Sequence, residues 1–249
     1  MSWAYQPLLP SAAALLSGIK FDTTSNGGFV VADDAYTWSH TCSGSDRYLV
    51  IGIVTLAGQT VSSLTYNGVA LSLIRGVTNT VRVELWGLVN PAIGTNTISL
   101  TLSGVATSIG IASSFTGVHQ TSPVEGDNSA TGTGTADATV DITSVANNDW
   151  AVDIVGISVD TTIIVGAGQT QRANVSGAGG AGGMSTEGPK TPAGAITMSW
   201  TDMGNLNPWA IAGVALRPVE AANISTGGDF YGNMFLSSIF HTHILANAL

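Results

Sequence analysis

Apolar residues recur along this chain in two ways, at alternate positions and in short unbroken runs, and both patterns belong to strands. The stretch from Tyr36 to Val118 is the organising part. It opens with the aromatic-polar run Tyr36-Thr37-Trp38-Ser39-His40-Thr41, followed by the apolar run Arg47 to Val54. Val61 to Leu71, Thr80 to Val89, Thr95 to Leu102 and Ala106 to Phe115 continue the series at strand length. Further on, Ala138 to Ile142, Trp150 to Ile157, Ala195 to Trp200 and Trp209 to Leu216 repeat it, and Arg217-Pro218 ends it. The strand from Trp150 puts Trp150, Val152, Ile154 and Gly156 on one face and Ala151, Asp153, Val155 and Ile157 on the other. The sum is an all-β chain of about fourteen short strands, a β-sandwich or jelly roll, occupying residues 19–218.

Turn chemistry separates the runs. Asn67-Gly68 is a hairpin signal, because both residues tolerate positive φ. Asn90-Pro91 stops one strand and Gly94 starts the next. By the same logic Ser25-Asn26-Gly27-Gly28 is expected to join strands at Ile19–Asp22 and Phe29–Ala32, and Asp33-Asp34 to begin another turn. Thr116 to Thr135, with Gly117, Pro123, Gly126, Gly132 and Gly134, is expected as loop. Ser176 to Gly183 is rich in glycine but lacks the following helix and the lysine of a phosphate-cradling loop. It is expected as a mobile surface loop or a glycine strip against another chain.

The two ends have a different character. Residues 1–18 are expected as an arm: Pro7-Leu8-Leu9-Pro10 is extended, and Ser11 caps a short helix from Ala12 to Ser17 with Gly18 as its stop. No Lys or Arg precedes the apolar stretch Ala12–Leu16, so a signal peptide is not expected and the arm is expected to be retained. Residues 219–249 run through a polar linker, Glu220 to Asp229, into an apolar tail that is too greasy for a solvated end. Fixing a residue costs about 1–2 kcal/mol of backbone entropy, and burying a large apolar side chain returns roughly 1.5–3 kcal/mol. Such arms need a groove to lie in. The expected contact residues are Leu8, Leu9, Leu15 and Leu16 in the first arm, and Phe230, Tyr231, Phe235, Leu236, Phe240, Ile244 and Leu245 in the second.

Composition narrows the partners. Charged residues are 9% of the chain, far below the roughly 25% of an average domain, so the exterior must be built from Ser, Thr, Asn, Gln and Gly. With seven Lys and Arg and a net charge of −9, a counterion-displacing stripe for nucleic acid cannot form, and an anionic membrane is equally unsuited. No apolar run approaches the roughly 20 residues of a membrane helix. The single cysteine, Cys42, excludes an internal disulfide and is expected as a small half-buried residue.

Reaction chemistry is not evident. His241 and His243 share a strand face, but no third metal ligand lies nearby in the tail; His40 and His119 are expected at turns or on the surface. There is no Gly-x-Ser-x-Gly elbow, and nothing singles out a carboxylate pair among Asp127, Asp137, Asp141, Asp153 and Asp160 for glycoside chemistry. Trp38, Trp86, Trp150, Trp200 and Trp209 sit in or beside apolar strands, where core packing is the default. No catalytic residue, cofactor or metal is expected.

Trp38 to Arg47 with Leu49 to Gly52, Leu64 to Leu71, Glu84 to Pro91, Ser114 to Val118 and Gly213 to Pro218 together resemble a β-sandwich module of phage virion proteins and bacterial surface proteins. The resemblance spans roughly residues 20–218 and implies a structural or adhesive part without catalysis. The expectation is a virion protein, a decoration or cement subunit of a phage capsid assembled in the host cytoplasm. Its partners would be the major capsid protein and further copies of itself, in a cluster such as a trimer. The alternative is a receptor- or carbohydrate-binding module of a tail fibre or a cell-surface adhesin. A glycoside-acting enzyme on the same scaffold comes third.

Overall fold

The computed structural model describes residues 18–133, 137–143, 145–201 and 207–219, which belong to one compact unit, Ser17–Val219. Among the described residues every regular element is a strand, and all pairings are antiparallel. The first seven are β1 (Lys20–Cys42), β2 (Tyr48–Thr55), β3 (Val61–Tyr66), β4 (Val69–Ala70), β5 (Ser72–Asn79), β6 (Val81–Val89) and β7 (Gly94–Thr116). They form one sheet in the order β4-β3-β7-β2-β6-β5, with β1 along the other edge of β7. The next three are β8 (Val124–Gly132), β9 (Ala138–Ile142) and β10 (Trp150–Ile157). The last five are β11 (Ile164–Val165), β12 (Thr170–Gly177), β13 (Gly180–Glu187), β14 (Ile196–Thr201) and β15 (Trp209–Leu216). A second sheet runs β12-β13-β10-β15-β8 and a third β11-β14-β9.

The first sheet folds over on itself. β1 and β7 are each 23 residues long, and their pairing breaks register between Val30 and Ala35, opposite Thr101 to Ser108. Beyond that bend the first half of β7 carries β3, and the second half carries β2. Leu49, Ile51 and Ile53 of β2 then share one core with Leu64, Tyr66, Ile98, Leu100 and Trp38. The opposite face of β2, with Val50 and Val54, joins Val83, Leu85, Ile109, Ile111 and Phe115 against Val152, Ile154, Ala212 and Val214 of the second sheet. The far face of the second sheet, Ala151, Val155, Ile157 and Ile211, packs on Val140, Ile142, Met198 and Trp200 of the third. Three cores therefore separate four layers. A strand covered on both faces needs apolar residues at every position, which is why β2 and β15 are buried throughout.

The all-β sandwich expected from the sequence is the architecture found, with fifteen strands. Four local expectations change. Asn26-Gly27-Gly28 does not turn the chain; it lies inside β1 as a register shift because the pairing with β7 continues across it, and Asp33-Asp34 does not separate two strands but lies within β1 where the strand bends. Ala106 to Phe115 is not a separate strand from Thr95 to Leu102; the two are one bent strand. Residues 124–132, expected as loop, form β8 on the edge of the second sheet. As an edge strand it pairs on one side only, with β15, and needs no apolar alternation. Finally, the glycine-rich run is neither a mobile loop nor a strip for another chain. Gly180, Gly182 and Gly183 are buried in β13, where a Cβ would meet Leu56, Val54 and Trp200 of the same chain.

Candidate functional site

Tracing the register of the folded sheet shows where the chain enters and leaves. Lys20, at the start of β1, pairs with Thr116, and Cys42, at its end, pairs with Gly94. The bend lies between, so both ends of β1 and both ends of β7 share one end of the sandwich. Tyr48 pairs there with Val89 and with Phe115. Val118 N–H donates to Asp46 O (3.0 Å), and Val219 N–H to Gly117 O (2.8 Å). Thus Lys20 and Val219, the first and last strand-paired or bridge-flanking residues described, lie against neighbouring positions, Thr116 and Gly117.

The same end carries exposed apolar side chains. Val69 (54% exposed), Leu73 (49%), Val89 (37%) and Ile93 (67%) make up four of the seven large apolar residues that stand exposed among the described residues. Val69 follows the Asn67-Gly68 turn, whose positive φ angles of 50° and 75° match the hairpin expected. Ile93 sits on the loop between β6 and β7, and that loop is held rigidly. Arg47 donates Nε–H to Pro91 O (2.8 Å) and Nη1–H to Gly44 O (2.7 Å). The Tyr66 hydroxyl reaches Gly94 O (3.0 Å) and Ala92 O (3.2 Å). Burial pushes that phenol up to about 12, so it remains a donor at any working pH.

A different surface covers the outer layer. Thr37, Ser39 and Thr41 of β1 alternate with inward Trp38, His40 and Cys42. They pair with Ser99, Thr97 and Thr95 of β7, and Ser63 and Thr65 of β3 pair with Thr101 and Ser99. The result is an uncharged three-strand array of hydroxyls, with one direct contact between the Thr41 and Thr95 hydroxyls (2.7 Å).

Two buried polar clusters lie inside. His40 is buried, contrary to the surface position expected, because it alternates inward with Trp38 on β1. Its Nδ1 meets Ser25 Oγ at 2.9 Å, while Nε2 has no protein partner. Burial lowers its pKa to about 4, against the pull of the Asp22 charge, so the ring is neutral at pH 7. Cys42 is fully buried, more so than expected, and burial raises its thiol pKa. Such a thiol is a poor nucleophile.

The second cluster centres on Asp153. Its Oδ1 accepts from Ser185 N–H (2.8 Å) and Ser185 Oγ–H (2.9 Å), and its Oδ2 from Trp200 Nε1–H (2.8 Å). Gln169 extends the network, donating to Ser185 Oγ (2.6 Å) and accepting from Ser199 N–H (2.8 Å). Burial pushes Asp153 up to about 7, and the donors from Ser185 and Trp200 oppose that shift. The network ties β10, β13 and β14 together across the second and third sheets.

Several of the remaining candidates are engaged structurally. Asp127 pairs with Arg75 (2.7 Å), and Asp141 accepts from Thr197 Oγ1–H (2.6 Å). Asp33 Oδ1 accepts from Asp34 and Ala35 N–H. His119 Nδ1 accepts from Ser122 N–H (3.0 Å), as a turn residue does. Trp38, Trp200 and Trp209 are buried. Among the described residues no group of three or more His, Cys, Asp or Glu is placed to hold a metal, and no helix is long and apolar enough to cross a membrane. The arm residues Leu8, Leu9, Leu15, Leu16, Phe230, Tyr231, Phe235, Leu236, Phe240, Ile244 and Leu245 lie outside the described residues, as do His241 and His243. Sequence reasoning missed the apolar end, because Val69, Val89 and Ile93 belong to separate segments and are brought to one end only when β7 doubles back. No protein-family model and no curated protein matches the chain.

Proposed function

We propose that this chain is a structural subunit of a virion, a decoration or cement protein that attaches to a phage capsid and to its own copies through its terminal segments. The observation that carries this reading is the convergence of Lys20 and Val219 on Thr116 and Gly117. The described sandwich is therefore entered at Lys20 and left at Val219 at one end, the end that also carries Val69, Val89 and Ile93. An arrangement of that kind makes one attachment end and one free end. The scarcity of charge fits a surface that lives against other subunits, and the resemblance of residues 20–218 to virion modules points the same way. The reading has no catalytic step and places the protein in the virion after assembly in the host cytoplasm. The test is deletion of residues 220–249. The truncated protein should fold, with an unchanged β-sheet spectrum, and fail to join capsids. Normal incorporation of the truncated protein would refute the reading.

The hydroxyl array on β1, β3 and β7 favours a second reading, a receptor- or carbohydrate-binding module of a tail fibre or cell-surface adhesin. Uncharged hydroxyls at sheet spacing suit an uncharged, hydroxyl-bearing partner. Thr37→Val with Thr97→Val should abolish glycan binding under that reading. A glycan array left blank by the intact protein would exclude it.

A further inference from the structure

The outer layer ends in a strand edge. β1 pairs with β7, and among the described residues no strand pairs with its other side from Ala35 to Cys42. The direction of its backbone groups follows from the far side of β7. Asn67 N–H donates to Thr97 O (2.9 Å), and Ser103 N–H to Thr60 O (2.8 Å), so the odd-numbered residues in this half of β7 turn their N–H and C=O towards β3. The even-numbered residues turn theirs towards β1, where opposed residues of a bonding pair exchange both bonds. Trp38 and His40, opposite Ile98 and Asn96, are bonded to β7 in this way. Thr37, Ser39 and Thr41 therefore point their N–H and C=O outward. Among the described residues no hydrogen bond reaches the backbone of Thr37 or Ser39, and Thr41 O meets only Ser114 Oγ, at 3.5 Å. Protein sheets ordinarily blunt such an edge by shortness, charge, proline, a bulge or a cover. The other edges follow that rule. β4 and β11 have two residues each. β5 is tied to β8 by Arg75 and Asp127 (2.7 Å) and by Asn79 Nδ2–H to Gly132 O (3.0 Å). Arg172 of β12 lies over the Phe21 ring of β1, 3.8 Å from its centre, and Asn128 Nδ2–H reaches Asp141 O of β9 (2.8 Å). Ala35 to Cys42 contains no charged residue and no proline, and its register with β7 is unbroken.

We propose that this edge joins the same edge of a second copy of the chain, antiparallel about a two-fold axis at Ser39, so that one sheet runs through both molecules. The occupant follows from the segment itself. Thr37-Trp38-Ser39-His40-Thr41 has the same chemistry in either direction: an exposed Thr at each end, a buried ring inside each, and an exposed Ser at the centre. A two-fold contact requires a patch that complements itself. About this axis Ser39 faces Ser39 of the second copy, and Thr37 faces its Thr41. Each of these is a bonding pair, because the outward N–H and C=O belong to the odd-numbered residues. Hydroxyl then lies across from hydroxyl, a favourable cross-strand pairing. Charge points to the same place. Two copies that each carry −9 repel one another, and this segment brings no charge into the contact. The pairing also closes. It uses the free edge of both molecules, and the opposite edge of the layer is the two-residue β4. The contact involves neither terminal segment, so it stands apart from the virion reading.

The experiment is sedimentation velocity of the full-length protein over a wide range of concentration, with two double variants at exposed positions. The parent should pass from monomer to dimer as concentration rises. Thr37→Lys with Thr41→Lys sets like charges opposite each other across the axis and should raise the dissociation constant about tenfold or more. Thr37→Lys with Thr41→Glu changes the same two positions but sets unlike charges opposite, and should dimerise as the parent does. All three proteins should melt at the same temperature. Amide exchange supplies a second readout: in the parent it should slow with concentration at Thr37, Ser39 and Thr41, and stay constant at Trp38 and His40, which β7 already holds. A parent that is monomeric at every concentration would overturn the proposal. So would a dimer that the two lysines leave intact, or one that both variants weaken equally. A monomer that instead takes up an added extended peptide along this edge would assign the edge to a foreign strand and also overturn it.

Discussion

Replacing Asp153 with Asn tests how the buried network works. Between its ordinary pKa of 3.8 and the folded value of about 7, the folded protein holds a proton that the unfolded chain has released. The sign follows: this group contributes stability that is fully present below pH 3.8 and is lost as pH rises through 7. A pKa difference of one between the folded and unfolded chain is worth about 1.4 kcal/mol, so the whole effect is roughly 4 kcal/mol. His40 acts in the opposite sense. Its folded pKa of about 4 lies below the ordinary 6.5, so it contributes stability present above pH 6.5 and lost as pH falls through 4. From pH 4 to 6.5 the two slopes offset each other, and the parent protein should show a nearly flat profile from this pair. The Asp153→Asn variant cannot titrate at this position. It keeps an acceptor for Ser185 but turns an amide towards the Trp200 indole N–H, which costs about 1–3 kcal/mol for each unsatisfied buried donor. Urea unfolding at half-unit steps from pH 4 to 8 should show the variant gaining about 1.4 kcal/mol per pH unit relative to the parent between pH 4 and 7. A difference that is constant with pH would show that the three donors hold the carboxylate charged, and would rule out a proton on Asp153.

Two further substitutions probe the layers. Gly52→Ala, whose new Cβ would lie 2.7 Å from Ile154 Cγ1 and Cδ1, should destabilise by about 1–3 kcal/mol through overpacking, read as a lower urea midpoint at unchanged slope. Tyr66→Phe removes the hydroxyl that Ala92 O and Gly94 O share. It should cost about 1–3 kcal/mol and speed amide exchange in residues 92–97 more than in β10.

Much of the fold was legible because layered sheets impose period-2 and fully apolar patterns. The two faces assigned to Trp150–Ile157 are the two faces that β10 turns to the first and third sheets. The errors share one cause: local turn chemistry was overruled by long-range pairing. Asn26-Gly27-Gly28 signals a turn, yet β7 is paired on both sides of it, so the chain bulges instead. The glycines of β13 look like a loop because only tertiary packing against Leu56, Val54 and Trp200 explains them. His40 reads as a surface residue until Trp38 and Cys42 on either side are seen to point inward. The shared end of entry and exit depends on the bend in β1 and β7; Asp33-Asp34 and the break between Leu102 and Ala106 mark its place, but only the pairing of the two long strands across it shows that the chain continues as one folded sheet.

Whether one end of this sandwich is built for attachment is decided most directly by cryo-electron microscopy of the native assembly. The domain should stand on a capsid with Thr116 to Val118 and Ile93 towards the shell, and the bend at Val31 and Val105 pointing outward. Density with the bend against the shell and the Ile93 end free in solvent would contradict the proposed attachment.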